Sequence, residues 1–186
     1  GNPSGVTVGR FVLGSIALNG TEYFSGDLDE VRVWRTARSA TEIASSYLTR
    51  LDGTETGLVC YLPFDEGSGN VSTVGRATGA LSGTLAGSPA WTVRGGLPAP
   101  GLTVADAALQ FDGNSSHAVL SPLPLGSASF TMEFRARRAK LGTLQTVLSQ
   151  GTNQTAKGLQ VGFQADNRFR LQFWNGTTLA STDPDT

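Results

Sequence analysis

The chain has a single cysteine, Cys60, so no disulfide can close within it. Set in the apolar run LVCYL, that thiol reads as a small buried hydrophobe. Histidine is equally scarce: His117 stands alone, with no second histidine or nearby cysteine, which removes the usual zinc sites and the serine and cysteine triads. Charge is sparse and balanced, 14 Lys and Arg against 15 Asp and Glu, for a net charge of -1. No summed field gathers phosphates, and nucleic acid is not an expected partner. No apolar run reaches the roughly 20 residues that a membrane span needs, and no basic stretch leads into an apolar one at the start. Membrane insertion is not expected. Nor does a glycine-rich loop follow a strand and open a helix, so no phosphate cradle is encoded.

What is present is glycine and moderate hydrophobicity. The 186 residues include 24 glycines, 39% apolar residues and 16% charged ones, the composition of a folded, turn-rich chain and an all-β one. Such a length fits one medium domain or one and a half smaller ones. Five N-x-[ST] sequons, beginning at Asn19, Asn70, Asn114, Asn153 and Asn175, are permitted glycosylation sites in a eukaryotic host.

The organising stretch is residues 22–35, EYFSGDLDEVRVWR. Regular alternation puts Leu28, Glu30, Arg32 and Trp34 on one face and Asp27, Asp29, Val31 and Val33 on the other. Before it, residues 6–16 read as a strand at an edge or in a half-buried sheet, and Asn19-Gly20 as a turn. After it, Ser39 is the N-cap of a short helix, with Glu42 completing a capping box and Ile43 and Tyr47 sharing a face. LDGTET at 51–56 has the composition of a linker. Short strands follow at 80–85 and 91–93, two more around the Asp-Gly-Asn turn within 108–121, and a strictly alternating one at 128–139. TLQTVLSQ, LQVGFQAD and RFRLQFWNG then succeed one another at the spacing of an antiparallel sandwich or barrel.

Taken in order, LVCYLPFDEGSG (58–69), GTL (83–85), ALQFDG (108–113) and SFTMEFRARR (129–138) resemble the opening half of a laminin-G-like domain, in the concanavalin A-like lectin/glucanase superfamily. YFSGDLDEVRVW followed by SATEIASSY is similar to that family's closing segment, yet here it comes first. Two arrangements account for this order: a tandem array cut out of register, or a circularly permuted single domain. The organisation expected is closing strands and helix at 1–50, a linker at 51–56, and opening and central strands at 57–186. A strand of pattern W-H-x-x-A, usual in relatives before the closing segment, has no counterpart.

The resemblance implies an all-β, antiparallel jelly-roll β-sandwich of concanavalin A-like type with one short helix. Glucanases of that superfamily carry paired acids on one strand, and Asp27-Leu28-Asp29-Glu30 is a near match. Val31 and Arg32, however, stand where a second catalytic Glu is needed, and on a regular strand Glu30 points away from Asp29, so no enzyme is expected. Sandwiches of this kind often hold calcium at a rim, which makes calcium the candidate cofactor and Asp27, Asp29, Asp65, Asp112 and Asn114 its candidate ligands. Arg76 stands near the place where relatives commonly have an acid, and Asp112 and Asn114 are equally turn residues. For glycans, which need displayed aromatics beside polar side chains, Trp174, Asn175 and Trp91 are the candidate contacts, with Tyr23 and Tyr61 in reserve and Trp34 in the core. Asp29, Glu30 and Arg32 read as structural groups, tying carboxylate and guanidinium into the neighbouring strand or helix, and Arg135 and Arg137 as a wet strand face or edge guard.

Two functional classes remain open at this point. One is an adhesion or structural repeat, as in a stalk or filament, assembling through edge strands with further copies of itself. The other is a lectin-like module for glycans or cell-surface proteins. Both imply a secreted or cell-surface protein.

Overall fold

A computed structural model of the chain describes residues 9–16, 21–69, 71–72, 82–93, 107–125, 129–151 and 158–174. Its elements, in order, are β1 (Phe11–Leu13), β2 (Ser25–Trp34), α1 (Ala40–Ser46), β3 (Leu58–Leu62), β4 (Val71–Ser72), β5 (Ser82–Ala86), β6 (Ala90–Val93), β7 (Ala107–Asp112), β8 (His117–Leu120), β9 (Thr131–Arg138), β10 (Gln145–Gln150), β11 (Gly158–Phe163) and β12 (Phe169–Trp174). They form two antiparallel sheets over a shared apolar core, an all-β architecture with one short helix.

The seven-stranded sheet runs β12-β11-β10-β1-β8-β5-β4. The five-stranded sheet runs β3-β2-β7-β6, with β9 on the far side of β2. Along one edge of β2, β7 pairs with Ser25 to Leu28 and β3 with Val31 to Trp34. Along its other edge, β9 pairs from Gly26 to Trp34. The closing-type segment 22–35 therefore pairs with the opening-type segment 58–64 within the chain. Gly26 is required at its position: its φ is +150°, and a Cβ there would overlap the carbonyl oxygen of Arg137 on β9.

Three expectations are corrected. Strand β1 is not at an edge or half-buried: it lies between β8 and β10 with Phe11, Val12 and Leu13 at most 2% exposed. Nor does β2 alternate regularly. A bulge interrupts its pairing with β9 between Asp29 and Arg32, and Glu30 sits there in the left-handed region at φ 52°. The extra residue resets the parity, so Leu28, Val31 and Val33 all reach the main core, each completely buried. Burying such side chains contributes about 1.5 to 3 kcal/mol apiece, which favours the bulged register that places all three inside. Trp34 is buried too, but in a smaller cluster on the opposite face with Leu51, Leu58 and Tyr61. The third correction is Tyr61 itself, which is 1% exposed and has no free face for a sugar.

The turn between β7 and β8 carries the chain from one sheet to the other, so these neighbours in sequence do not form a hairpin. Residues 51–56 turn tightly: the Glu55 carboxylate accepts the N–H groups of Asp52 and Gly53, each at 3.0 Å, and Leu51 is buried.

One flank of the two-sheet structure is less covered than the rest. Apart from Leu85 and Trp91, the partly buried apolar side chains on the main core come from the β9, β11 and β12 region: Phe130, Met132, Phe134, Phe163, Phe169 and Leu171. Phe134 of β9 and Phe169 of β12 lie 6.4 Å apart between ring centres. Among the described residues, β9 pairs with β2 alone and β12 with β11 alone, so both strands present an unpaired edge on this flank.

Candidate functional site

Because the bulge turns Asp29, Glu30, Arg32 and Trp34 away from the core, the outer face of the five-stranded sheet beneath α1 gathers a buried charged network. Arg32 is its centre, at 1% exposure. Its Nε donates to Glu30 Oε2 at 3.2 Å, and the same carboxylate oxygen accepts from Nη2. Beyond that pair, Arg32 donates to the carbonyl oxygens of Ser46 at 2.8 Å and Thr49 at 2.6 Å. Those carbonyls belong to the end of α1 and the turn after it, where the last helical C=O groups have no intrahelical donors. A guanidinium there satisfies them and complements the helix dipole.

The remaining members come from three other segments. Tyr61 on β3 donates its hydroxyl to Glu30 Oε1 at 2.8 Å, and Arg32 stacks 5.5 Å from the centre of its ring. Burial, reinforced by the Glu30 charge and the hydrogen bond to Glu30, pushes the Tyr61 hydroxyl far above the usual phenol range, so it stays a donor. Arg38, just before the helix, donates to Glu133 Oε1 on β9 at 2.6 Å and to Glu42 O at 2.8 Å, while lying 4.1 Å over the Trp34 ring. Glu133 Oε2 is buried and has no hydrogen-bond partner among the described residues; it lies 4.0 Å from Arg32 Nη1. A cavity of about 80 Å³ opens beside these groups, lined by Glu30, Arg32, Tyr47, Glu133, Phe134 and Arg135.

The helix depends on this network. Its Ser39–Glu42 capping box is formed as expected, with Ser39 N–H donating to Glu42 Oε2 at 2.7 Å and Glu42 N–H to Ser39 Oγ at 3.3 Å. The face expected from Ile43 and Tyr47 is not a buried one, since α1 has no buried residue and Tyr47 is half exposed. Guanidinium groups hold α1 where an apolar stripe would otherwise do so. The tie into the neighbouring helix expected of these side chains is made by Arg32 through the Ser46 and Thr49 carbonyls, and Glu30 and Glu133 both accept from guanidinium groups.

The residues proposed from sequence as calcium ligands lie in separate environments. Asp27 pairs with Arg137 and accepts from Gln110 Nε2 at 3.0 Å. Asp29 Oδ1 accepts the backbone N–H of Glu30 at 2.8 Å, which helps hold the bulge. Asp65 pairs with Arg50. Asp112 organises the β7–β8 turn, its Oδ1 accepting the N–H groups of Asn114, Ser115 and Ser116, each at 2.9 Å, and the Ser116 hydroxyl at 2.7 Å. Burial works to raise the Asp112 carboxyl, but these donors outweigh it and hold the group well below the usual carboxylate range. Asn114 is exposed at the tip of that turn. Among the described residues, no three His, Cys, Asp or Glu side chains come together as a metal site.

Of the candidate glycan contacts, Trp91 is half-buried on β6, packs against the core and donates Nε1–H to Gly69 O at 3.3 Å. Asn175 and the Trp174 side chain lie outside the described residues. The charged network itself was only half visible in the sequence. Its signal is the polar pair Asp29-Glu30 inserted between Leu28 and Val31, which breaks the apolar alternation at the bulge. Arg38 and Glu133 carry no comparable mark.

Comparison with protein-family models, with curated proteins and with solved structures finds no match for this chain.

Proposed function

We propose that this chain is a laminin-G-like jelly-roll module of concanavalin A-like type, working as a non-catalytic adhesion or structural repeat in a secreted or cell-surface protein. The observation that carries the reading is the open flank, where β9 and β12 each present an unpaired edge among the described residues beside an incompletely covered apolar row. Unpaired edges of this kind are templates for strand addition. The chain's own order adds support, since the strands of its first fifty residues sit inside both sheets formed with its later strands. A fold closed by such insertion lends itself to linking successive copies.

Sedimentation velocity from micromolar to submillimolar protein is the test. Reversible growth in mass with concentration is the expected result. A strictly monomeric chain that binds a defined glycan on an array would overturn the structural reading in favour of the lectin-like one.

A further inference from the structure

Strand β9 carries the information for one particular partner. Ala139 N–H donates to Ser25 O at 2.8 Å, and the pairing then runs Asp27 with Arg137, Asp29 with Arg135 and, past the bulge, Arg32 with Glu133. Alternate residues of an antiparallel strand bond the same neighbour. Odd-numbered residues of β9 therefore use their backbone groups on β2, and Met132, Phe134, Ala136 and Arg138 turn theirs towards the open edge.

We infer that this edge pairs antiparallel with β9 of a second copy of the chain, about a two-fold axis at Phe134, an inference that rests on the assembly reading above. In this register Phe134 faces Phe134 of the second copy, and Met132 faces its Ala136. All are residues with outward backbone groups, so hydrogen bonds form in both directions. On the outer face, Glu133 then stands opposite Arg135 of the second copy, and Arg135 opposite its Glu133. Two observations favour this occupant. Glu133 Oε2 is a buried carboxylate oxygen lacking a hydrogen-bond partner, and Arg135 makes no ion pair or hydrogen bond through its side chain among the described residues. The two-fold pairing supplies each with the other, twice. On the inner face it brings two half-buried Phe134 side chains together and extends cover over the apolar row.

The experiment combines charge exchange with amide hydrogen exchange. R135E places Glu opposite Glu at two positions of the dimer, and E133R places Arg opposite Arg. Each raises the dimer dissociation constant about tenfold or more, since like charges directly opposed on neighbouring strands are destabilising. Mixing the two variants restores association, because every cross-strand pair in the heterodimer is again of opposite sign. As wild-type concentration rises, the amides of Met132, Phe134, Ala136 and Arg138 gain protection, while Glu133, Arg135 and Arg137 are protected throughout. R135E alone suffices if E133R fails to fold, because Arg135 has no side-chain partner to lose among the described residues.

Wild type that assembles with these even-numbered amides unprotected, or with R135E still associating normally, overturns this interface and leaves the assembly reading standing. A monomer in which they are already protected at dilution means that the chain fills its own edge, which also overturns it. A monomer with them unprotected at every concentration overturns both.

Discussion

Arg32 and Glu30, two positions apart on β2, form a buried ion pair on the outer side of the sheet, and Arg32 reaches past it to the Ser46 and Thr49 carbonyls at the end of α1. One residue thus ties the central strand to the helix that follows it. The left-handed backbone at Glu30 is the condition for this, because it lets Val31 and Val33 fill the core while Arg32 faces outward.

Removing Arg32 should therefore destabilise the fold strongly. R32M leaves Glu30 buried without its guanidinium and the helix end without its donors, a loss of about 3 to 5 kcal/mol. The double substitution R32M/E30L should recover part of that loss, since it removes the stranded carboxylate. Urea unfolding followed by Trp fluorescence measures both; equal stability of the single and double variants would show that the burial of Glu30 is not what costs.

The Asp112 turn gives a pH dependence whose sign follows from its donors. The carboxyl is held below its ordinary value of 3.8, so the folded state favours the ionised form. That contribution is complete above about pH 4, where the unfolded chain is also ionised, and is lost as the pH falls through the lower folded value. D112A should lower the melting temperature at neutral pH, and its difference from wild type should shrink in strong acid. A difference that stays constant from neutral pH to pH 2 would remove the ionised carboxylate as its source.

Much of the architecture was legible because it depends on local pattern. The capping box at Ser39 and Glu42, the strict alternation of β9 and the closely spaced strands that follow it are all short-range signals. What escaped was long-range or irregular. Strand β1 looked like an edge because nothing in VTVGRFVLGSI tells that β8 and β10 will enclose it. The parity of β2 was misread because a single left-handed residue, Glu30, moves every side chain after it to the other face. Arg38 and Glu133 lie 95 positions apart and meet only through the pairing of β2 with β9. Their ion pair, and the buried Glu133 oxygen beside it, are properties of topology.

Chelation should leave the melting temperature unchanged. Asp27 and Asp65 already face guanidinium groups, and Asp112 Oδ1 is used by backbone and hydroxyl donors. A cation recruiting these oxygens would have to displace those partners. A rise of several degrees on adding calcium, reversed by chelator, would show that they rearrange around an ion.

Cys60 offers a way to tell whether β2 closes its own chain's sheet or a neighbour's. It is paired with Val33 of β2 and 2% exposed, and burial pushes its thiol up to about 12, so it should resist thiol reagents at pH 8 and react stoichiometrically in denaturant. Under native conditions, labelling reports the opening that uncovers β3. If β2 and β3 of one chain pair with each other, opening is unimolecular and the labelling rate is independent of protein concentration. If β2 is supplied by another copy, uncovering β3 requires dissociation, and the rate falls as concentration rises. Measured on R135E, in which association through β9 is weakened, a concentration-independent rate is the expected result. A falling one would mean that the strands of residues 1–50 are exchanged between copies, as in an array whose units close one another.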